Sequence, residues 1–312
     1  MGAVYYLGVD GGGTSTTAAV ADEKGKVVGK GSAGPSLYKV VGVRTAIDNI
    51  ITAADAAQRA AGPRRIFFDY SVFGLSGVDS LKDWEMMSCE LHRRYGRVIG
   101  ARFRVVNDVV IAFTAGSTRP YGAAVIAGTG SNAYAVGKDG REAYAGGLGT
   151  ALADEGSGYW IGSRILHAAA KSFDGRGPKT ALEQKILKAL GVRHIRDAVN
   201  VVYQANFDKT ATARLALLAA AAAKQGDRVA RAIITEAALE LASAAITVAR
   251  KADLARHTFD LVLAGNLWKA GVMLLRPFRT AVRRAAPRVS FVRLINPPVE
   301  GALRLARERN VE

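Results

Sequence analysis

Short apolar segments separated by glycine and polar turns open the chain. Their alternation predicts strands over residues 4–10, 16–22 and 26–32. Three consecutive glycines at 11–13 follow the first strand, and a charged turn at 22–26 joins the second strand to the third. Strands linked by such short turns pair with their neighbours, so the chain is expected to begin as a meander.

Helical patterns then alternate with further strands. Gly62-Pro63 ends the first predicted helix, and Asn107-Asp108 closes a strand and opens the next helix. A meander followed by alternation is typical of a mixed sheet flanked by helices, with ligands bound at the loops where strands end. The predicted elements are a helix at 42–61, a strand at 66–73 with a loop at 74–77, a helix ending near residue 95 and a strand at 103–106.

The opening pattern occurs a second time. Strands predicted at 121–127 and 132–136 flank a turn at 128–131 with the sequence Gly-Thr-Gly-Ser. Strand, glycine and hydroxyl turn, and strand therefore follow one another as they do at the start of the chain. The two copies indicate two related domains that each contribute one turn; two unrelated hairpins are the alternative reading.

The C-terminal half is predicted to be mostly helical. Its elements are helices over about 160–251 with breaks at 174–178, 191 and 226–227, a strand at 259–264, a helix opened by Gly265-Asn266, a strand at 289–292 and a terminal helix at 299–309. The longest uninterrupted apolar run there has nine residues, 215–223, and a membrane span needs ~20. With no signal-peptide pattern in view, we expect a cytoplasmic protein without a membrane partner.

Length and composition favour a globular protein of about two domains. The chain has 312 residues, of which 49% are hydrophobic and 22% charged. Cys89 is the single cysteine, which excludes an internal disulfide, and we expect it to pack inside or to be inert. The four histidines show no metal-ligand spacing.

The net charge of +16 raises the question of a nucleic-acid partner. The arginines of the C-terminal part fall on amphipathic segments without interleaved aromatic residues, so they are interpreted as a solvated face that also favours anionic nucleotides. No nucleic-acid partner is expected. The chain has 8 Asn and 4 Gln, a low content that hints at a thermophilic, archaeal source.

The first glycine turn carries the most distinctive chemistry. Glycines at 11–13 leave backbone N–H groups uncovered, so a phosphate chain can lie against the main chain. Hydroxyl groups of Thr14, Ser15 and Thr16 follow, and Asp10 stands at the strand end, where it can hold Mg²⁺ or its waters. The turn matches neither a Walker A loop nor a dinucleotide fingerprint. An ordinary hairpin with a glycine turn is the alternative.

Five motifs together resemble a known superfamily. Residues 10–14, 128–131 and 263–266 resemble the phosphate-1, phosphate-2 and adenosine motifs of the sugar kinase/hsp70/actin superfamily. Within it, residues 154–162 and 174–178 resemble the N-acetylglucosamine kinase and archaeal hexokinase branch of the BadF/BadG/BcrA/BcrD ATPase-type family. The resemblance covers nearly the whole chain, and the Asp-Glu-Gly-Ser-Gly-Tyr-Trp block at 154–160 is its most specific part.

The resemblance implies an α/β fold of two ribonuclease-H-like domains, the actin-like ATPase fold, with an interdomain cleft. The first domain is expected at 1–112, with the C-terminal helix at about 298–312 packing back on it. The second is expected at 113–297 and contains a helical insertion. The ligands implied are ATP, Mg²⁺ and a small-molecule sugar, and a homodimer is expected.

The resemblance also assigns roles to individual residues. Asp108 is the implied general base, although an N-cap of the following helix is the competing reading, as it is for Asp154 and Ser157. The implied ATP-binding residues are Asp10 (holding Mg²⁺ through water), Gly12, Gly13, Thr14, Thr129, Gly130, Ala264, Gly265 and Asn266. The implied sugar-binding residues are Ser76, Asn107, Ser131, Asn132, Gly147, Gly149 and Asp154.

The expected activity is transfer of the ATP γ-phosphate to the 6-hydroxyl of a hexose or amino sugar: N-acetylglucosamine, glucosamine or glucose. One alternative is the ATPase activator of a 2-hydroxyacyl-CoA dehydratase-type enzyme, which relies on paired cysteines that this chain lacks. A non-catalytic sugar or nucleotide sensor is the other. Two departures bear on specificity: Leu37 stands where relatives carry Asn, and Asn266 where a second glycine is usual.

Overall fold

The computed structural model describes residues 4–62, 66–99 and 102–308. Its strands are β1 Tyr5–Gly11, β2 Thr16–Asp22, β3 Val27–Ala33, β4 Tyr70–Leu75, β5 Phe103–Asn107, β6 Gly122–Ala127, β7 Ser131–Val136, β8 Glu142–Gly146, β9 Phe259–Ala264 and β10 Val289–Arg293. Its α-helices are α1 Tyr38–Val41, α2 Val43–Ala61, α3 Leu81–Ile99, α4 Asp108–Gly116, α5 Gly158–Asp174, α6 Leu182–Leu190, α7 Val199–Val202, α8 Lys209–Arg214, α9 Ala216–Lys224, α10 Arg228–Lys251, α11 Val272–Ala285 and α12 Pro298–Glu308.

The described strands form two five-stranded sheets with the same strand order. The first sheet runs β3-β2-β1-β4-β5, and the second, read from its other end, runs β8-β7-β6-β9-β10. In the first sheet β1 pairs antiparallel with β2 and parallel with β4. In the second, β6 pairs antiparallel with β7 and parallel with β9. The predicted α/β class with two mixed sheets is therefore confirmed, and the repeated opening pattern of the sequence corresponds to the repeated topology.

The chain divides into two compact units. One takes residues up to Pro120 together with those from Val292 onward, and the other is Tyr121–Phe291. In the first unit, α12 packs on β1 and α4 through an apolar face that contains Val299, Ala302 and Leu303. This contact explains why the end of the chain belongs to the unit that begins it. The last residues of the predicted C-terminal helix, 309–312, lie outside the described residues.

Each unit has its own apolar core. In the first, the buried face of α2 covers β2 and β3, and α3 packs beside it. In the second, α10 covers β6, β7 and β8. By length and composition alone, α10 is the one helix among the described residues that could cross a membrane. Its alanine- and isoleucine-rich face is buried against the sheet and against α11, as in a core helix.

Several predicted boundaries need correction. The strand predicted at 66–73 is wrong at both ends, because β4 runs from Tyr70 to Leu75. An apolar run does not fix a strand register; here the register is set by pairing with β1, in which Gly11 faces Leu75. The strand β8 was not predicted, since three of its five residues are exposed to solvent.

One further expectation is wrong, and another is narrowed. The helical stretch is interrupted around 203–208, where Asp208 then caps α8 with a side-chain oxygen 2.8 Å from the Ala211 N–H. Of the two alternatives expected for Cys89, packing inside is ruled out because the residue is exposed on α3, and its inertness stays a prediction.

Candidate active site

Three parallel strands of the first unit end at one edge of its sheet. Asp10 near the end of β1 faces Gly74 of β4, and Leu75 of β4 faces Asn107 of β5. Because parallel strands place their carboxyl ends together, the side chains that follow β1, β4 and β5 converge. Asp10, Ser76 and Asp108, which are far apart in the sequence, are thereby brought together.

Of the two carboxyl groups with raised pKa values at this edge, that of Asp108 is shifted more. The pKa of its carboxyl is raised to about 7. Burial is the largest cause, and the nearby charge of Asp10 is the second. A hydrogen bond from the Ser76 hydroxyl lowers the pKa and offsets part of that rise. A carboxylate with a pKa near neutrality is suited to accept a proton at physiological pH.

Asp10 resembles Asp108 in its environment. Burial raises the pKa of its carboxyl to about 6, and among the described residues no donor hydrogen-bonds to it. A desolvated carboxylate without a donor is a favourable ligand for a hard cation, bound directly or through water. The residues at this edge therefore fit a Mg²⁺ ion, with Asp10 as the side chain that would hold it.

Asn107, and not Asp108, caps the helix α4. Its Oδ1 accepts the Val109 N–H at 3.0 Å, while its Nδ2 donates to Val78 O at 3.1 Å and to Asp79 Oδ1 at 2.9 Å. The N-cap reading of Asp108 is therefore wrong: Asp108 is the first helical residue, and its carboxyl is available for chemistry. The predicted sugar-binding role of Asn107 stays a prediction, with its amide already holding the strand end in place.

The first glycine turn exposes its tip. Gly12 N donates to Ser15 O at 3.0 Å, and Gly12 O accepts the Ser36 N–H at 2.9 Å. Gly13 and Thr14 are exposed, and within the described part of the chain their N–H groups have no partner. Two main-chain donors and a hydroxyl are therefore free to bind an anion, as the glycine pattern predicts.

Leu37 lies beside this turn. A Cβ built on Gly13 would be 3.5 Å from Leu37 Cδ2, and one built on Gly77 would be 2.5 Å from Leu37 Cδ1. An apolar side chain thus fills the space between two loops at the catalytic edge. Next to it, Lys39 forms an ion pair with Asp79 at 2.8 Å, and this pair was not predicted.

The second glycine turn, at 128–131, is hydrogen-bonded to the first residues of α5. Gly128 O accepts the Gly158 N–H at 2.8 Å, and Thr129 O accepts the Tyr159 N–H at 3.1 Å. Ser131 Oγ donates to Glu155 O at 2.8 Å. With its carbonyl groups engaged in this way, the turn leaves the N–H groups of Thr129 and Gly130 without a partner among the described residues.

Asp154 ties the same turn to a second helix. It is buried, its Oδ1 accepts the Ser131 N–H at 3.0 Å, and its Oδ2 accepts from Lys209 Nζ at 2.7 Å. Asp154 is not a helix cap; Ser157 is, with its Oγ 3.2 Å from the Trp160 N–H. The predicted sugar contact of Asp154 stays a prediction, and in the structure both carboxylate oxygens have protein partners.

The third motif adjoins the second turn. Gly265 has a φ of 98°, and a Cβ built on it would lie 2.3 Å from Ala127 O, so both the backbone conformation and the space demand glycine. Asn266 opens a 3₁₀-helix, and Trp268 Nε1 donates to Ala264 O at 2.9 Å. The ends of the parallel strands β6 and β9 therefore place residues 264–266 next to 128–131.

The other predicted sugar residues of the second unit also cluster. A Cβ on Gly147, whose φ is 74°, would lie 2.5 Å from the Asn132 side chain, and Gly149 forms an isolated bridge with Ala153. A cavity of about 200 Å³ adjoins Ser131 and Asn132 and is also lined by Glu155 and Glu240.

Lys209 is the main residue that the sequence did not reveal. It follows Asp154 by 55 positions and belongs to no glycine or acidic motif. The only local sign of its placement is the Asp208-Lys209 pair that opens α8. Ser76, Asn107 and Asp108 lie together in the first unit, whereas Ser131, Asn132, Gly147, Gly149 and Asp154 lie in the second.

Comparison with known proteins agrees with the motifs. The model of the BadF/BadG/BcrA/BcrD ATPase family matches residues 7–303. The N-acetylmuramic acid/N-acetylglucosamine kinase of Clostridium acetobutylicum is 31% identical over 306 residues, which cover 97% of this chain and 98% of that protein. The N-acetyl-D-glucosamine kinase of Dictyostelium discoideum is 28% identical, with 88% of each chain covered.

Solved structures show the same fold. A Chromobacterium violaceum protein, provisionally named an N-acetylglucosamine kinase, superposes with a TM-score of 0.76 at 26% identity, covering 97% of this chain and 99% of its own. A ROK family glucokinase of Streptomyces griseus, solved with glucose and AMPPNP, has a TM-score of 0.56 at 18% identity, with 98% and 100% covered. The expected family and the two-domain actin-like architecture are thus confirmed.

Proposed function

Because the chain belongs to the BadF/BadG/BcrA/BcrD ATPase family, we propose that it is an ATP-dependent sugar kinase that phosphorylates the 6-hydroxyl of a hexose or amino sugar. The substrates favoured are N-acetylglucosamine, glucosamine and glucose. Relatives that align over nearly the full chain are named as kinases of amino sugars. The observation that carries the proposal is the carboxyl of Asp108, with its pKa raised to about 7, beside Asp10 and Ser76 at the end of three parallel strands.

Asp108 acts as the general base. The sugar hydroxyl oxygen forms a bond to the γ-phosphorus, the bond from that phosphorus to the bridging oxygen of ADP breaks, and the hydroxyl proton moves to the Asp108 carboxylate. The Ser76 hydroxyl is close enough to Asp108 to lower the pKa of its carboxyl and so favours the charged form that accepts the proton. Phosphoryl transfer asks a protein mainly for positioning and for charge stabilisation.

The two glycine turns bind the phosphates of ATP. Among the described residues, the N–H groups of Gly13 and Thr14 in the first unit, next to Gly12, have no partner, and neither do those of Thr129 and Gly130 in the second. Ala264, Gly265 and Asn266, which adjoin the second turn, border the adenosine. Asp10 would hold Mg²⁺ through water, and the bound ion would supply neutralisation of the phosphate charge.

The sugar contacts proposed are Ser76, Asn107, Ser131, Asn132, Gly147, Gly149 and Asp154. Leu37 removes an amide that relatives are expected to use, so discrimination for the N-acetyl group rests on the remaining polar groups.

We also propose a cytoplasmic homodimer with neither a nucleic-acid nor a membrane partner. Arg279 and Arg283 lie over the ring of Phe291 in the same unit, each 5.4 Å from its centroid, so that aromatic side chain is already covered. The apolar face of α10 is buried. The low Asn and Gln content fits a thermophilic, archaeal source.

The test is a coupled assay of ADP release with glucose, glucosamine, N-acetylglucosamine and mannose as acceptors. ADP is expected only when a suitable sugar is present, together with a sugar 6-phosphate identified by mass spectrometry. Hydrolysis of ATP at full rate without any sugar would count against a kinase. It would instead favour the ATPase-activator class, although Cys89 alone cannot supply the paired cysteines of that class.

A further inference from the structure

The second glycine turn has a positively charged neighbour that no sequence motif announces. Lys209 Nζ lies 2.7 Å from Asp154 Oδ2, and a Cβ built on Gly130 would be only 3.1 Å from the same nitrogen. The ammonium group is therefore at the surface of the turn. Its side chain retains 37% of its exposure, whereas the Asp154 side chain retains 5%, so Lys209 faces the solvent side of the pair.

The position of Lys209 is fixed by helix packing. Lys209 is the first residue of α8, and α8 lies against α5 so closely that a Cβ on Gly162 would be 2.0 Å from Thr212 O. The glycine on α5 thus allows the two backbones to touch. The first N–H groups of α5 also donate to the turn. The packing of α8 on α5 therefore fixes the position of Lys209 relative to the turn.

The donors around the turn are only partly used. An ammonium group has three N–H donors, and one of them is directed to Asp154. The N–H groups of Thr129 and Gly130, in the described part of the chain, have no partner. Free main-chain donors and a lysine at the same turn form a complete set for a phosphate group.

We propose that Lys209 is an additional phosphate-binding residue, held at the turn by Asp154 so that its remaining donors reach the nucleotide. This inference rests on the proposed function, since it assumes that the turn at 128–131 binds ATP. Asp154 then serves as the anchor of the turn and of the lysine: one oxygen orients the Ser131 N–H and the other orients the ammonium group.

A purely structural role makes a different prediction. If Lys209 only neutralises the buried Asp154, replacing Asp154 by Asn should make Lys209 dispensable. If Lys209 binds phosphate, it is needed whether or not Asp154 carries a charge. The double variant Asp154→Asn/Lys209→Met separates the two roles, and because it leaves no unpaired buried charge, its fold is preserved.

The experiment measures binding of AMPPNP and of adenosine to the full chain by calorimetry, without sugar. For Lys209→Met we expect the Kd of AMPPNP to rise about 10- to 100-fold, the size of one charged hydrogen bond, with that of adenosine unchanged. The double variant should remain equally weak. Asp154→Asn alone, which weakens the anchor but keeps the lysine, should bind AMPPNP less tightly than the native chain and more tightly than Lys209→Met, and the exposed control Lys224→Met should bind normally.

Native affinity in the double variant would overturn the proposal, because Lys209 would then act only through Asp154. Native affinity in Lys209→Met would overturn it as well. Absence of AMPPNP binding to the native chain would instead overturn the proposed function, before any variant is compared.

Discussion

The two sheets have the same strand order, but the buried carboxylates near the ends of their strands differ in whether they have a cationic partner. In the first unit, Asp10 and Asp108 are desolvated, lack a cationic partner among the described residues and have raised pKa values. In the second unit, Asp154 is buried with an ammonium group and a main-chain N–H as partners. A buried carboxylate without a cationic partner is poised to take up a proton or a cation, whereas one paired with an ammonium group is a structural anchor. The two related sheets thus hold carboxylates in different electrostatic environments.

The largest expected effect is on catalysis in the first unit. Asp108→Asn removes the base, so the turnover rate should fall about 10²- to 10⁴-fold, while AMPPNP binding measured by calorimetry stays within a factor of two or so. The matched control is Asp139→Asn, in the exposed turn after β7, which should keep full activity. An Asp108→Asn variant that keeps even a tenth of the native rate would contradict the assignment of the base.

The second prediction concerns stability in the second unit. Lys209→Met leaves the buried Asp154 without its cation, so the free energy of unfolding should fall by on the order of 2 kcal/mol, seen as a lower Tm. Asp154→Asn should cost less, because Lys209 is accessible enough to be rehydrated and Asn can still accept the Ser131 N–H. Equal Tm values for the two single variants would mean that the pair is not desolvated in solution.

In the first unit, replacing the buried carboxyl of Asp108 by an amide should stabilise the protein. The pKa of Asp108 is raised from 3.8 to about 7 on folding, so the native state holds its proton more tightly than the unfolded state and loses stability as pH rises from about 4 to about 7. Asp108→Asn should therefore raise the Tm at pH 8 by about 2–4 °C, corresponding to roughly 1 kcal/mol after allowance for solvent access, with no gain at pH 4.

The measurement is the Tm as a function of pH by scanning calorimetry in the absence of nucleotide. Asp10→Asn should show the same sign with a smaller shift, since the pKa of Asp10 is raised only to about 6. A lower Tm for Asp108→Asn at pH 8 would show that the carboxylate has a stabilising partner in solution, and the contrast between the two units would fail.

The smallest expected effect concerns substrate choice. Leu37→Asn restores an amide beside Gly13 and Gly77 and should raise kcat/KM for N-acetylglucosamine relative to glucose by about three- to tenfold, the range of one added polar contact. Leu37→Met, which keeps the apolar character and nearly the volume, is the control. A ratio that is the same in both variants would place the N-acetyl group away from residue 37.

Much of the site was predictable because its groups are carried by local sequence. The glycine turns, Asp10 and Asp108 stand at strand ends, and a strand end can be read from a short apolar run followed by polar residues. The mixed character of each sheet also follows from the pattern of hairpins and helices. The observed β4 did not follow from its own residues, because its register depends on pairing with β1.

The sequence by itself determined the α/β class, the duplication, the two glycine turns and the candidate base, since each depends on residues within a few positions of one another. Only the tertiary structure decided that Asn107 and not Asp108 takes the cap, that Asp10 shares the environment of Asp108, and that Lys209 reaches Asp154 across 55 positions. Such pairings depend on how helices and strands pack, and packing distances are not encoded in any one segment of the chain.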